Sequence, residues 1–156
     1  MVKKMFEHRS VINGSVQQVW DFHAHPKAFI RLTPPPIFIQ MLRNDLKSLR
    51  EGDVEFRMWV GPIPLYWHAR HEKGPTETSF IDRMLNGPMA YWEHQHIFRE
   101  AEGGTELVDR VTLEHKPGLA GVLTRLMFDG LPLRLFFTYR HLRTRLGMSN
   151  PVAGGS

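Results

Sequence analysis

Residues 53–115 repeat one pattern, in which apolar and polar side chains alternate along each segment and short turn sequences separate the segments. Alternation with a period of two is typical of β-strands that are buried on one face, and glycine or proline marks the turns between them. The turns are Gly61-Pro62, Gly74-Pro75, Asn86-Gly87-Pro88 and Gly103-Gly104, and Pro117-Gly118 follows the last segment. The pattern predicts a run of antiparallel hairpins.

The residues before the hairpins predict a strand, two short helices and a second strand. Residues 6–12 read as the first strand, and Asn13-Gly14-Ser15 provides a turn and a helix N-cap. The first helix begins at Val16, and the second covers residues 27–32. Pro34, Pro35 and Pro36 must end the second helix because prolines in succession cannot continue it. Residues 37–42 then predict a strand.

The C-terminal segment, residues 119–146, changes to helical periodicity. We expect its buried stripe to consist of Leu123, Leu126, Met127, Phe136, Leu142 and Leu146. Gly130 and Pro132 fall inside this segment, and a proline there removes a backbone donor and clashes with the preceding turn. The helix is therefore predicted to kink or break at this point.

The composition limits the domain organisation and the classes of function. A chain of 156 residues, 42% hydrophobic and 23% charged, suits one globular domain over residues 1–148, and residues 149–156 predict a disordered tail. The sequence has no cysteine, which excludes disulfides, a thiol nucleophile and a thiolate-bound metal. We find no signal-peptide pattern and no apolar stretch of ~18 residues, so we expect a soluble cytoplasmic protein without a membrane span.

The charge is basic, with a net charge of +4 at pH 7 and an isoelectric point of about 9.7. A positive charge modestly favours acidic partners. Much of the excess lies near the C-terminus, at Arg134, Arg140, Arg143 and Arg145. This basic helix could contact anionic lipid or nucleic acid, but no helix-turn-helix or RNA-binding motif accompanies it, so nucleic acid is not expected as a partner.

The segment from Trp92 to Phe98 places His94 and His96 between two large aromatic residues on one face of a strand. An aromatic face normally turns toward a core or cavity. If the next hairpin closes with a four-residue loop, His96 lies opposite Asp109. If the preceding hairpin pairs Met84 with Ala90, Asp82 falls opposite Trp92. Two histidines and two carboxylates would then share one mostly apolar wall.

This group of polar residues permits four interpretations. The first is a buried network that satisfies itself, with Asp109 accepting a hydrogen bond from His96. The second is recognition of the polar head of a ligand, and the third is acid-base catalysis by His96 and Asp109. The fourth is a metal site, but His-x-His supplies two ligands where three or four must converge, and His23-x-His25 lies at a helix end. We therefore expect no metal.

The order of strand, two short helices, six-stranded meander and long C-terminal helix resembles the START and polyketide-cyclase-like (SRPBCC) superfamily, which has the helix-grip fold. The local motifs agree over nearly the whole chain except the tail. They include Ser15 to Phe22, Leu32-Thr33-Pro34-Pro35, Phe80-x-Asp82, Gly87-Pro88, Trp92 to Phe98, Gly104-Thr105, Asp109-x-Val111 and Phe137-x-Tyr139-Arg140. These motifs resemble a bacterial branch whose members are described mainly as ligand-binding or uncharacterised.

The resemblance implies an α+β fold in which a curved antiparallel sheet of about seven strands wraps around a long C-terminal helix, with two short helices after strand 1. It also implies an apolar cavity between the sheet and that helix, which in the superfamily holds lipids, sterols, hormones or polyketide-like molecules. We therefore predict binding of a hydrophobic or amphipathic small molecule, such as a lipid, without a cofactor. The alternative is a cyclase, aromatase or dehydratase that uses His96 oriented by Asp109.

The predicted ligand-binding residues combine an apolar wall with a polar end: Phe56, Met58, Trp67, Asp82, Met84, Trp92, His94, Phe98, Val111 and Arg134. Arg134 and Arg140 could bind a carboxylate or phosphate at the cavity mouth, although arginine stems on an exposed helix face more often cover the core. A patch on the outer face of the sheet could bind a partner or form a homodimer. Its residues are Trp59, Tyr66, Ile81 and Leu85.

Overall fold

Seven antiparallel strands form one sheet in the computed structural model, which describes residues 3–149. The strands are β1 (Lys4–Ile12), β2 (Ile37–Asn44), β3 (Gly52–Val60), β4 (Ile63–Lys73), β5 (Ser79–Asn86), β6 (Met89–Ala101) and β7 (Gly104–His115). The helices are α1 (Val16–Ala24), α2 (Ala28–Arg31), α3 (Leu119–Phe128) and α4 (Gly130–Ser149). The spatial order β1-β7-β6-β5-β4-β3-β2 is a six-stranded meander with β1 added beside β7. The predicted fold class is confirmed.

The chain enters α1 as the sequence predicts, through a capping box at Ser15. The Ser15 hydroxyl accepts a hydrogen bond from the Gln18 backbone N–H at 3.1 Å, and the Gln18 side chain accepts one from the Ser15 N–H at 2.9 Å. These bonds satisfy two backbone donors that the first helical turn leaves free. The cap fixes the direction of α1 and buries Val19 completely.

The C-terminal segment breaks between α3 and α4, as the proline predicts. Asp129 has extended backbone angles, and Gly130 follows with a φ of 55°. Glycine tolerates this left-handed conformation because it has no Cβ. Pro132 lies in the first turn of α4, where its missing N–H costs nothing because first-turn donors have no intrahelical acceptor.

The buried stripe predicted for this segment is wrong at its four leucines. Leu123, Leu126, Leu142 and Leu146 are between 44% and 69% exposed, and only Met127 and Phe136 pack against the core. The inward face instead carries Phe128, Leu133, Phe137, Arg140, His141 and Thr144. The break between the helices changes the direction in which their side chains point, and four leucines of α4 are then exposed: Leu131, Leu135, Leu142 and Leu146.

The core has two parts that share the inner face of the sheet. The larger surrounds Trp67, Trp92 and Phe137, and the smaller surrounds Phe80 and Phe98. His96 stacks on Phe80 with ring centroids 4.1 Å apart, whereas His94 meets Phe137 edge-on at 5.1 Å. The histidines therefore lie where the two apolar clusters adjoin.

The remaining predictions about the surface and the tail have mixed outcomes. No helix within residues 3–149 is long and apolar enough to cross a lipid bilayer. Apart from Ser149, which ends α4, the predicted tail at residues 149–156 lies outside the described residues. In the outer patch, Tyr66 and Leu85 are 37% and 43% exposed, but the homodimer stays a prediction.

Candidate functional site

A cavity of about 420 Å³ lies between the inner face of the sheet and the helices. Its largest lining residues are aromatic: Phe56, Trp67, Trp92, Phe128, Phe136 and Phe137. The cavity reaches the surface beside the α1–α2 and β2–β3 connections, where Pro26, Lys47 and Ser48 both line it and are exposed. The volume is within the range of pockets that bind small organic molecules.

The aromatic side chains hold each other in place around the cavity. Trp67 stacks with Phe56 at a centroid distance of 5.9 Å and contacts Trp92 edge-on at 5.4 Å. Phe128 closes the group with edge-on contacts to both tryptophans at 5.8 and 5.7 Å. Such contacts restrict the rotamers of large side chains, so the apolar wall is largely preformed.

The polar side of the cavity belongs to a buried group that we call the histidine–aspartate chain. Its members are Ser10, Asp82, His94, His96, Asp109 and His141. Nε2 of His96 lies 2.6 Å from Asp82, and the corresponding atoms of His94 and His141 each lie 2.6 Å from one oxygen of Asp109. Nδ1 of His141 lies 2.5 Å from the Ser10 hydroxyl. Asp82 and His94 connect the two halves through a 3.4 Å contact between Oδ2 and Nδ1.

The charge states of the carboxylates and imidazoles explain how the histidine–aspartate chain can be buried. Burial by itself would raise the pKa of Asp82, but the neighbouring His94 and His96 outweigh it and hold the pKa below its usual range. The pKa of Asp109 is also held low, because the hydrogen bonds from His141 and His94 outweigh its burial. Burial lowers the pKa of His96. Both carboxylates are therefore ionised acceptors, and the ring N–H groups donate to them.

The strand register places the members of the histidine–aspartate chain largely as predicted, with one correction. His96 faces Asp109 across β6 and β7, and His94 faces Val111, as expected. Asp82, however, faces His94 rather than Trp92. The pairing between β5 and β6 ends at Arg83 and Glu93, and its register is displaced by two residues from the assumed one. A shift of two keeps every side chain on the same face, so Asp82 still points inward.

The hydrogen-bond partners require a second correction. We expected Asp109 to accept from His96, but its closest partners are His94 and His141. Nε2 of His96 bonds Asp82 instead, and its buried Nδ1 lies 3.3 Å from Asp109 without a hydrogen bond. Asp109 is thus shared between the sheet and α4, which holds this helix against β7.

The structure brings most of the predicted site residues to the cavity. Those that line it are Phe56, Met58, Trp67, Asp82, Trp92, His94 and His96. Four other predicted residues, Met84, Phe98, Val111 and Asp109, are not among the lining residues. Phe98 is fully buried against Trp20, at a centroid distance of 5.2 Å, and Val111 belongs to the larger core. Met84 only packs against the edge of that core.

The predicted place of Arg134 in the site also needs correction, because its side chain is exposed and does not line the cavity. Arg140 lines the cavity instead and is only 7% exposed. Its guanidinium carbon lies 5.8 Å and 6.0 Å from the ring centroids of Phe136 and Phe137. Both arginines were predicted for the cavity mouth, and the spacing of Arg140, three residues after Phe137 and four after Phe136, places it on the face that these rings share.

Two members of the histidine–aspartate chain, Ser10 and His141, were absent from the predicted site. Both come from elements distant in sequence, β1 and α4, and no short-range pattern joins them. The spacing of Arg140 and His141 relative to Phe137 places all three on the inward face of α4. A polar pair on that face is the only signal that the sequence offered.

Asp82, His94 and His96 are also the residues that best approximate a metal site. Each offers one ligand atom, and the three atoms lie within 4.8 Å of one another. Two histidines and one carboxylate are a recognised donor set for transition metals. The atoms nearest to each other are nevertheless engaged in the 2.6 Å hydrogen bond between His96 and Asp82. The histidine rings stack at a centroid distance of 3.6 Å.

No protein-family model and no curated protein matches the chain, whereas solved structures do. A nucleoside-diphosphate sugar epimerase from Corynebacterium glutamicum is similar with 28% identity and a TM-score of 0.67, over 92% of this chain. The chain spans only 29% of the length of that epimerase.

Two similar structures match over nearly their whole length. Zhui aromatase/cyclase from Streptomyces sp. R1128 has 16% identity and a TM-score of 0.74, with 99% of each chain covered. A START superfamily protein from Mycobacterium smegmatis has 11% identity and a TM-score of 0.66, with 94% of this chain and 97% of that chain covered. The chain therefore shares the fold of these two structures, the helix-grip fold.

Proposed function

We propose that the protein binds a hydrophobic or amphipathic small molecule, such as a lipid or a polyketide-like compound, in the cavity between the sheet and α4. The observation that carries this proposal is the composition of the cavity, which has a continuous aromatic wall and one polar side. Binding pockets commonly combine apolar lining with a few fixed polar groups that orient the ligand. Storage, transport and sensing all use such a site.

Catalysis by the histidine–aspartate chain is the second candidate. Asp82, His94 and His96 reach the cavity surface, and the fold is shared with an aromatase/cyclase. In a cyclase or dehydratase, His96 would remove a proton next to a ketone and return one to the leaving hydroxyl, releasing water. Both nitrogens of His96 face Asp82 and Asp109, at 2.6 and 3.3 Å. The ring would have to leave these contacts before it could reach a substrate, and we therefore favour binding.

A cavity-filling substitution tests the binding proposal. Ala69 is 3% exposed and lines the cavity, so Ala69→Leu adds side-chain volume there. We expect titration with a fluorescent fatty acid and with a hydroxyanthraquinone to show saturable binding to the wild type of at least one probe. The substitution should weaken that binding about ten-fold, by the usual cost of overpacking. Ala90→Leu is the matched control because Ala90 is exposed on the same sheet.

Two results would contradict the proposal. One is that neither probe binds and native mass spectrometry of the purified protein finds no copurifying small molecule. The other is that Ala69→Leu and Ala90→Leu bind the probes equally well. For the catalytic candidate, a β-hydroxyketone should lose water in the presence of the wild type but not of His96→Asn, while both proteins bind it.

A further inference from the structure

Arg140 is a buried cation without a protein anion. Within residues 3–149, its guanidinium forms no hydrogen bond or ion pair with another group, and its near neighbours are the rings of Phe136 and Phe137. Five N–H donors in a buried position normally find acceptors. Since Arg140 lines the cavity, its donors are available to a molecule that enters it.

The nearby carboxylates do not take this role because the histidines already hold them. Asp109 accepts from His94 and His141, and Asp82 accepts from His96, in each case at 2.6 Å. The two anions still influence the guanidinium. Burial lowers the pKa of Arg140, and the charges of Asp109 and Asp82 oppose that shift. Arg140 is therefore held in the cationic form with its donors unused.

We propose that Arg140 binds a carboxylate at the polar end of the ligand, and this inference rests on the proposed function. The planar fork of a guanidinium matches a carboxylate through two parallel hydrogen bonds. The apolar body of the ligand would lie against Phe56, Trp67 and Trp92. Arg140 is the only buried Arg or Lys among the described lining residues, which suits a monoanion better than a phosphate dianion.

The test compares an acid with its ester. The probes are 11-(dansylamino)undecanoic acid and its methyl ester, and the readout is the fluorescence titration of the full chain. The wild type should bind the acid about ten-fold more tightly, as expected for a charge-assisted pair. Arg140→Met should remove this preference, so that the variant binds acid and ester with equal affinity. Arg134→Met, on the exposed face of the same helix, should keep it.

The outcomes separate this inference from the proposed function. Equal binding of acid and ester by the wild type, or a preference that survives Arg140→Met, overturns the role of Arg140 while cavity binding stands. If neither probe binds, both proposals fail. Arg140→Lys covers the case in which Arg140→Met does not fold. It keeps the charge but loses the fork, so part of the preference should remain, and an undiminished preference contradicts bidentate binding.

A separate observation concerns the outward side of α3 and α4, which we call the leucine face. Its members are large apolar residues that are each between 50% and 76% exposed: Leu119, Val122, Leu126, Leu131, Leu135 and Leu142. Spacings of three, four and seven residues place the three members from α3 on one stripe of that helix and the three from α4 on one stripe of the other, and exposed apolar stripes of this size indicate an interaction surface.

The charges around the leucine face indicate which surface would cover it. Residues 116–149 contain six Lys and Arg but one acid, Asp129, which pairs with Lys4 at 2.7 Å. Four of these cations, Arg125, Arg134, Arg143 and Arg145, are exposed. A second copy of this face would place arginines against arginines. Leucines bordered by arginines are instead typical of helices that lie on anionic membranes.

We infer that the leucine face docks on a bilayer of anionic phospholipid, with α3 and α4 lying in the interface. This inference does not depend on the cavity. Vesicle sedimentation tests it, with phosphatidylcholine alone or with added phosphatidylglycerol. The protein should bind only the anionic vesicles, and added salt should release it. Leu131→Glu with Leu135→Glu should abolish binding, whereas Leu85→Glu, at a 43% exposed position on β5, should not.

Three results would overturn membrane docking. They are an absence of binding to anionic vesicles, equal binding to neutral vesicles, and equal binding by the doubly substituted and Leu85→Glu proteins. Size-exclusion chromatography with light scattering gives a fourth. A stable dimer that becomes monomeric in the doubly substituted protein would assign the leucine face to self-association.

Discussion

The two faces of α4 differ in the opposite way from those of an ordinary surface helix. The outward face exposes Leu131 and Leu135, whereas the inward face buries Arg140, His141 and Thr144 beside Phe137. Surface helices usually bury their apolar residues and expose their polar ones. The comparison shows that the inward face of α4 is not optimised for filling a core.

The polar residues of the inward face have a structural reason. His141 donates to Asp109 of β7, and Thr144 donates to the Arg140 carbonyl at 2.9 Å. A buried polar group that is fully hydrogen-bonded specifies one arrangement, because any displacement leaves donors without acceptors. The bond from His141 to Asp109 thus sets the position of α4 against the sheet, whereas the bond of Thr144 lies within the helix, and Arg140 is left facing the cavity.

The largest contrast between the two faces should appear in stability when one aromatic residue is removed. Phe137 is 1% exposed and contacts Phe6, His94 and Phe136, so Phe137→Ala should lower the free energy of unfolding by about 3–5 kcal/mol. Leu135→Ala, two residues earlier on the outward face, should change it by less than about 0.5 kcal/mol. Urea unfolding at pH 7.5 measures both. Similar losses of unfolding free energy in the two variants would contradict the assignment of Phe137 to the inward face and of Leu135 to the outward face.

A smaller loss of stability is expected when the hydrogen bond between Asp109 of β7 and His141 of α4 is altered. Asp109→Asn replaces two carboxylate oxygens by one neutral amide oxygen and puts an NH₂ group against a ring N–H donor. We expect a loss of about 3 kcal/mol in the free energy of unfolding, as for other broken buried pairs.

Asp45 provides the control for this substitution. It is exposed and pairs with Arg43 at 2.8 Å, so Asp45→Asn should change the free energy by less than about 1 kcal/mol. If Asp109→Asn is as mild as Asp45→Asn, the histidine–aspartate chain does not hold α4 in place.

The smallest effect concerns pH, at the side of the cavity formed by α1. Burial lowers the pKa of His23 to about 4, and its ring donates to the Val19 carbonyl at 2.8 Å. The unfolded chain binds a proton here below pH 6.5, whereas the native protein does so only near pH 4. Stability should therefore fall between those values, by about 1.4 kcal/mol per pH unit for each such histidine.

His23→Gln isolates the contribution of this residue. The variant should lose stability more slowly than the wild type as the pH falls from 6.5 to 4.5, measured by urea unfolding at each pH. His96 contributes in the same direction, because burial lowers its pKa as well, so some dependence remains in the variant. An unchanged slope in His23→Gln would contradict the assigned shift.

The sheet and its site strands were predictable because the period of a strand needs no long-range information. Alternation placed His94, His96 and Asp109 on the inner face, and the register between β6 and β7 followed from the turn at Gly103-Gly104. Asp82 was placed on the correct face but opposite the wrong residue. The register of the β5–β6 hairpin decided its partner, and alternation fits two registers that differ by two residues equally well.

Helix α4 was predictable in extent but not in rotation. The break near Gly130 followed from proline chemistry, yet the inward face was assigned to leucines on the assumption that apolar residues are buried. The packing favoured another solution, because Asp109 of β7 needs a second donor and His141 supplies it. The position of Arg140 at the cavity, and the exposure of Arg134, follow from that rotation.

The sequence by itself therefore determined the strands, the turns and the helix break, since each follows from local periodicity or from proline and glycine geometry, while the helix-grip fold was implied by the resemblance of that element order to a known superfamily. Only the tertiary structure decided which residues of β1, β5, β6, β7 and α4 meet in the histidine–aspartate chain, and which arginine faces the cavity. The physical reason is that a buried carboxylate must find donors wherever the chain can supply them, and one donor to Asp109 comes from His141, 32 residues later in the sequence.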